Sequence, residues 1–273
     1  MKRALFLLLL ATLIHADFLI ERVDVTVSDI GTDGSAKVRE NIKFVMFGDY
    51  SNSVYDSGIS KNDLSYWSSS TALKDVKLHI NAAEVDIRDL RIRPQPRTKC
   101  NPIQGICHGE IILDYMAHPS YNNQTMEPEP RTGIFTVSKY KPRTRRYTIN
   151  PAALAFTTTS DGNVILDEDV YLTINLPSDA VTLDINPQPT DSDIRLPAHV
   201  GSLSWTDIVL VKFSLIFDVE DSIDKEVSDF FTGIFRGAGD AFSSPQGYAL
   251  AGLVAVLIAS FIYITVAKRR GEE

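Results

Sequence analysis

The chain lacks the short motifs by which enzyme active sites are commonly recognised. Its 273 residues contain no Gly-x-Ser-x-Gly, His-Glu-x-x-His, P-loop or Gly-x-Gly-x-x-Gly sequence. It has five histidines and only two cysteines, and two cysteines are too few for a disulfide-dense scaffold. We therefore expect no catalytic residue, no resident metal and no cofactor. A pair of catalytic carboxylates stays open, because such pairs are defined by separation in space and not by sequence.

Helical periodicity is scarce before residue 222, and alternation of apolar and polar residues takes its place. Val23, Val25 and Val27 alternate with polar side chains, Gly31 to Ser35 supplies a turn, and residues 36–47 alternate again. This pattern predicts a β-hairpin with one buried face. Further strands are predicted at 76–80, 85–92, 110–116, 134–140, 146–149, 163–166, 170–176, 181–185 and 208–219.

Many short strands between turn residues predict a mainly β fold, an antiparallel β-sandwich. The length is sufficient for two sandwiches, and we place their boundary near Asn150, giving domains 17–150 and 151–221. Three stretches rich in Ser, Asn, Asp or Pro are predicted to be long surface loops: 49–71, 94–105 and 119–132.

Two long hydrophobic runs lie near the ends of the sequence. The first follows Lys2 and Arg3 and precedes Ala16, an order typical of a cleaved signal peptide at 1–16. An uncleaved anchor or a buried strand is the alternative. The second, 248–267, has no charged residue in twenty positions, enough for a helix to cross the ~30 Å hydrocarbon layer.

Charges beside the second run predict its orientation. Lys268, Arg269 and Arg270 follow it at once, whereas acidic residues dominate the stretch before it. Because positive charge stays on the cytoplasmic side, we expect a single-pass cell-membrane protein with its N-terminus outside. Its ectodomain is then extracytoplasmic, and its cytoplasmic tail is 268–273.

The segment before the second run changes to a spacing of three or four residues. Its apolar positions include Phe230, Phe231, Ile234 and Phe235. The pattern predicts an amphipathic juxtamembrane helix and linker over 222–247, with those four residues at the membrane interface. A helix packed on the second sandwich fits the pattern equally well.

Negative charge dominates the predicted ectodomain. Of 27 basic and 35 acidic residues, five basic and two acidic ones lie outside 17–247, which leaves that segment a net charge of about −11. Such a surface favours solubility. It argues against nucleic acid as a partner, because phosphate binding needs a basic face.

Two basic runs depart from this balance. The first comprises Lys139, Lys141, Arg143, Arg145 and Arg146. The second comprises Arg88, Arg91, Arg93, Arg97 and Lys99. If the fold joins them, they form a patch suited to an anionic lipid, an acidic glycan or an acidic protein face. The simpler interpretation is that they pair with the chain's own carboxylates.

The two cysteines, Cys100 and Cys107, are close in sequence, with Asn-Pro and Gln-Gly between them. In an exported chain this spacing predicts a local disulfide. Zinc bound by both thiolates with His108 and His118 is a weaker alternative, since the spacing matches no standard finger.

Two further short motifs suggest surface ligands. Asp29, Asp33 and Glu40 have the spacing of an EF-hand loop, but Gly31 replaces an oxygen ligand and the flanks alternate as strands. A hairpin turn is the better interpretation. Asn123 begins the sequon Asn-Gln-Thr, so it is a candidate for N-glycosylation on an exposed loop.

Several short segments of the sequence resemble those of a group of membrane proteins. Residues 23–27, Asp33-Gly34-Ser35, Val38-x-Glu40 and 42–47 resemble the first hairpin of uncharacterised prokaryotic proteins that carry an exported β-sandwich. Leu172-Thr-Ile-Asn-Leu176-Pro177 and Ser204-Trp205 are similar to archaeal single-pass ectodomain proteins. The resemblance implies the fold and the topology, and it carries no catalytic residue.

Two classes of function follow. The first is a membrane-anchored binding module, such as an envelope component, a receptor or adhesin, or an accessory subunit, with a membrane or cell-envelope protein as partner. The second is a hydrolase-like ectoenzyme with a motif-free site in the loops 49–71 or 94–132. The missing motifs favour the first class.

Overall fold

The fold is that of a computed structural model, which describes residues 16–120, 125, 133–141 and 143–220. These residues contain fourteen strands and two α-helices, so the prediction of a mainly β fold with antiparallel sheets is confirmed. The predicted signal peptide lies almost wholly outside the described residues. The juxtamembrane helix, the membrane-spanning helix and the tail lie entirely outside them.

Seven strands form the largest sheet. β1 pairs with β10 in parallel, and the other pairs in this sheet are antiparallel. In spatial order its strands are β12 (Ser202–Trp205), β10 (Val170–Asn175), β1 (Asp17–Ser28), β2 (Ala36–Phe47), β5 (Ile106–His118) and β3 (Asp86–Pro94), and β4 (Thr98–Asn101) also pairs with β5.

Two smaller antiparallel sheets complete the described part. The four-stranded sheet has the order β11 (Val181–Asn186), β14 (Ser214–Glu220), β7 (Thr144–Ile149) and β6 (Phe135–Lys141). The three-stranded sheet has the order β13 (Ile208–Leu210), β9 (Val164–Leu166) and β8 (Thr157–Thr158).

Strands on the two sides of Asn150 pair with each other. β1 pairs with β10, and β7 pairs with β14. The buried apolar side chains form one cluster that includes residues of all three sheets. The boundary predicted near Asn150 therefore falls inside a single compact unit, because the chain returns to earlier strands instead of building a second core.

Residues 49–71, predicted to be a loop, instead contain α1 (Gly48–Gly58) and α2 (Leu64–Thr71). The buried positions of α1 are Ser51, Asn52, Tyr55 and Gly58, at helical spacing. Because three of them are small or polar, no hydrophobic periodicity marks this helix in the sequence. Both helices are short, and nowhere in the described ranges is a helix long and apolar enough to cross a membrane.

Two predicted strands differ from the observed ones. Residues 76–80 contribute only an isolated bridge between Ile80 and Leu154. The long strand predicted at 208–219 is interrupted after Leu210, where Lys212 has a φ of 51° and turns the chain. Its two halves, β13 and β14, therefore belong to different sheets.

Candidate functional site

Period-two alternation gives the central strands a buried row and an outward row. In β2 the even-numbered positions 36–46 are fully buried, all of them apolar except Glu40, and the odd-numbered positions are partly or fully exposed. We call the outward side of β1, β2, β3 and β5 the charged face. Its members on the last three strands include Lys37, Arg39, Lys43, Arg91, Arg93 and Asp114.

One open cavity of about 500 Å³ lies on the charged face, and we call it the arginine cavity. Its lining contains four cationic side chains and two carboxylates. The local balance is therefore positive, although the chain as a whole is negative. The charged lining residues are Lys37, Arg39, Asp89, Arg91, Arg93 and Asp114.

Asp114 is shared by two guanidinium groups of the arginine cavity. Arg39 Nε donates to Asp114 Oδ1 at 2.7 Å, and Arg93 Nη2 donates to Asp114 Oδ2. Burial alone would raise the pKa of Asp114, but the hydrogen bonds and charges of Arg39 and Arg93 outweigh it and hold the pKa below its ordinary value. The carboxylate is thus ionised and orients both arginines.

A second cavity of about 470 Å³ lies on the same face, and we call it the histidine cavity. His108 Nδ1 is 2.8 Å from Glu21 Oε2, and both side chains are partly exposed. Arg22 lies 3.7 Å above the ring of Tyr171 and donates to Asp24 at 2.6 Å. This cavity therefore holds charges of both signs, several of which are already paired.

A buried trio of Glu40, His79 and Tyr115 lies on the inward side of the same sheet. Glu40 Oε2 is 2.8 Å from His79 Nδ1, and Glu40 Oε1 accepts bonds from the His79 amide at 2.9 Å and the Tyr115 hydroxyl at 2.5 Å. The three side chains are at most 2% exposed. Burial and the charge of Glu40 both raise the pKa of Tyr115, which stays protonated.

The buried trio has the composition of an acid–base relay but no route to solvent. Within the described ranges, His79 Nε2 has no hydrogen-bond partner, and the imidazole packs at 5.2 Å from the ring of Phe156. Glu40 points into the core, so it is not a ligand of the loop at Asp29. That loop is a turn in which Asp33 accepts bonds from the amide and hydroxyl of Ser35, which supports the hairpin interpretation.

The first basic run lies in the four-stranded sheet, whereas the second lies on β3, on the segment that follows it and on β4. Arg146 makes two hydrogen bonds to Asp218, at 2.8 and 2.9 Å, and lies 3.8 Å above the ring of Tyr140. Arg143 reaches Glu220 at 3.4 Å. These are the contacts expected if the run pairs with the chain's own carboxylates. Lys139, Lys141 and Arg145 belong to the same hairpin.

The predicted disulfide is present between Cys100 and Cys107, whose Cα atoms are 4.1 Å apart. The bond leaves no thiolate for zinc, so the zinc alternative was wrong. No group of three or more His, Cys, Asp or Glu side chains suited to a metal occurs among the residues that the structure describes. Arg97 packs beside this bond, donating to Asp56 at 2.7 Å, with its Nη1 3.3 Å from Cys107 Sγ.

Other predicted sites lie outside the described residues. They are the glycosylation candidate Asn123 and the interface residues Phe230, Phe231, Ile234 and Phe235. Conversely, Lys37 and Arg39 were not part of either predicted basic run. Their signal in the sequence is the two-residue spacing on one strand, which places both on the outward face.

No known family matches the sequence, and no curated protein matches it. Among solved structures, native leukotriene A4 hydrolase of Saccharomyces cerevisiae is similar at 11% identity and a TM-score of 0.31, over 74% of this chain and 29% of that protein. Aminopeptidase A of Legionella pneumophila in complex with aspartic acid is similar at 9% identity and a TM-score of 0.28, over 76% and 22%. The chain thus spans less than a third of either protein, and likeness at this level carries no functional conclusion.

Proposed function

We propose that the chain is a membrane-anchored extracytoplasmic binding module that recognises a membrane or cell-envelope partner through the charged face. It would serve as a receptor or adhesin, an envelope component or an accessory subunit of a membrane complex. The observation that carries the proposal is the charged face itself, where two solvent-open cavities lie on one sheet. The buried trio of Glu40, His79 and Tyr115 is, by contrast, enclosed in the core and not accessible to solvent.

The proposed topology rests on the sequence. A signal peptide at 1–16 and an uncharged run at 248–267 favour an ectodomain outside the cytoplasm, followed by a juxtamembrane helix and one membrane-spanning helix. The disulfide between Cys100 and Cys107 is consistent with an oxidising compartment. Three sheets around one core are consistent with a sandwich-like ectodomain.

A second candidate is an ectoenzyme of the hydrolase type. The observation in its favour is the pair of Glu21 and His108 in the histidine cavity, because a carboxylate that orients an imidazole is an arrangement used in general base catalysis. Loss of a hydrolytic activity in His108→Gln, with the fold retained, would support this candidate. The predicted loop at 49–71 does not, because it forms α1 and α2, whose Tyr55 and Trp67 pack into the core.

Affinity purification from native membranes, with a tag after Glu273, tests the proposal. We expect a stoichiometric membrane or envelope protein to co-purify with the wild-type chain. Arg91→Glu on the charged face should reduce its recovery strongly. Lys61→Glu makes the same change of charge at an exposed position between α1 and α2 and should leave recovery unchanged. Recovery of no stoichiometric protein, or equal recovery with the two variants, would contradict the proposal.

A further inference from the structure

We infer that the arginine cavity binds a phosphate or sulfate group, with Lys37, Arg39, Arg91 and Arg93 as donors. The inference rests on the proposed function and deepens it by naming the chemical group that the charged face recognises. It concerns the second basic run together with two cations of β2. It does not involve the first basic run.

The strand register places these four cations around one point of the sheet. Asp114 on β5 is the register partner of Arg39 on β2 and of Arg91 on β3, so the two arginines flank it on opposite sides. Neighbouring strands lie about 4.8 Å apart, within reach of these long side chains. Lys37 and Arg93 lie two residues from Arg39 and Arg91 on their own strands and therefore share the face.

Asp114 orients two of the guanidinium groups without using all their donors. Within the described ranges, Arg39 and Arg93 each give one hydrogen bond to this carboxylate. A guanidinium has five N–H donors in a planar fork, so most of them stay available for a ligand. The orientation by Asp114 lowers the entropy that a ligand must remove when it binds.

The remaining two cations have little internal compensation. Arg91 is exposed and has no ion pair in the part of the chain that the structure describes. The nearest carboxylate to Lys37 Nζ is Asp29 at 3.8 Å, on a side chain that is 72% exposed. Other cations of the second run differ, since Arg88 pairs with Asp86 at 2.6 Å and Arg97 with Asp56 at 2.7 Å.

The charge and size of the cavity select the ligand class. Four cations face two carboxylates, and one of these, Asp114, is already neutralised by two arginines. A tetrahedral oxyanion with several charged oxygens can accept from donors on opposite sides, which suits a phosphate or sulfate group. Since the cavity measures about 500 Å³, it has room for such a group attached to a larger molecule.

Titration of the full chain in detergent with inorganic phosphate and with sulfate, at low ionic strength, tests the inference. We expect saturable binding by calorimetry, with sulfate and phosphate competing for one site. Arg91→Gln and Lys37→Gln should each raise the Kd by at least about tenfold. Lys61→Gln removes a positive charge at an exposed position between α1 and α2, away from the charged face, and it should leave the Kd unchanged.

Two results would overturn the inference. One is the absence of saturable binding, and the other is an equal rise of the Kd in Lys61→Gln and Arg91→Gln, which would indicate attraction by net charge alone. Flotation of the chain in nanodiscs with vesicles separates the two sources of phosphate. Selective binding to anionic phospholipid over phosphatidylcholine assigns a lipid headgroup, and phosphate binding without it assigns a free phosphate compound. If phosphate binding fails while the partner still co-purifies, this inference falls and the proposed function stands.

Discussion

The carboxylate of Glu40 lies 2.8 Å from the imidazole Nδ1 of His79, and neither side chain is more than 1% exposed. Glu40 occupies the middle of the apolar inward row of β2, between Val38 and Ile42. Burying a charge there is tolerated because it accepts three hydrogen bonds, two from His79 and one from Tyr115. The outward row of the same strand carries two donors of the arginine cavity.

Removing the Glu40 carboxylate should destabilise the protein strongly. In Glu40→Ala three buried donors lose their acceptor, and breaking such a network costs about 3–5 kcal/mol. Tyr115→Phe removes one of the three hydrogen bonds and should cost about 1–2 kcal/mol. Denaturant unfolding of both variants checks this, and an equal loss in the two would argue against Glu40 as the shared acceptor.

Stability should fall at alkaline pH because of buried tyrosines. Burial raises the pKa of Tyr55 to about 12. The folded pKa exceeds the unfolded value of about 10, so this contribution is complete below pH ~10 and is lost as the pH rises towards ~12. Tyr55→Phe should flatten the pH dependence of the unfolding midpoint, whereas Tyr50→Phe, at a position that is 51% exposed, should not.

Stability should also fall at acid pH, because protonation of Asp114 weakens its contacts with Arg39 and Arg93. Arg39 and Arg93 hold the pKa of Asp114 below its ordinary value, so their stabilisation is present above pH ~4 and is lost as the pH falls through the folded pKa. Because both arginines are about half exposed, the loss should be about 1 kcal/mol. Unfolding midpoints measured down to pH ~2 should change less in Asp114→Asn than in the wild type, and no difference would refute the assignment.

Gly34 should be far less tolerant of substitution than Gly162. Both have positive φ, 87° and 78°, which disfavours an L side chain at either position. A Cβ at Gly34 would also collide with the carbonyl oxygen of Phe135, whereas one at Gly162 would meet nothing. We expect Gly34→Ala to cost about 1–3 kcal/mol more than Gly162→Ala in thermal unfolding. Equal costs would mean that the first hairpin does not contact Phe135.

The disulfide should stabilise a local region. It closes a short loop, for which the chain-entropy model gives about 2–3 kcal/mol. In the double variant Cys100→Ala, Cys107→Ala, we expect amide exchange to accelerate in β4 and in the first residues of β5. Exchange in β7 and β14, in the four-stranded sheet, should stay close to wild type. Uniform acceleration would show that the bond supports the whole fold.

The features predicted correctly from sequence depend on residues that are close along the chain. The second strand of the first hairpin, β2, has the predicted limits at Ala36 and Phe47, because period-two alternation and a turn are local properties. The disulfide follows from the short spacing of Cys100 and Cys107. Helix α1 was missed because its buried stripe contains Ser51, Asn52 and Gly58, which do not register as hydrophobic.

Only two of the four cations that line the arginine cavity belong to a basic run predicted from the sequence. Arg91 and Arg93 belong to a predicted basic run, but Lys37 and Arg39 come from a distant strand. Only the register of β2 and β3 on β5 brings the two pairs together. The first basic run is the shorter of the two in sequence, but it does not form an unpaired patch, since Arg146 donates to Asp218, which is 72 residues away.

By itself, the sequence determined the strand-rich character of residues 17–220, their acidic balance and the position of the disulfide, because composition, alternation and short spacing are properties of the local chain. The tertiary structure alone decided which strands pair across Asn150, that Glu40 is enclosed with His79 and Tyr115, and which cations stay uncompensated. These outcomes depend on strand register, which brings distant residues together and which no local pattern specifies.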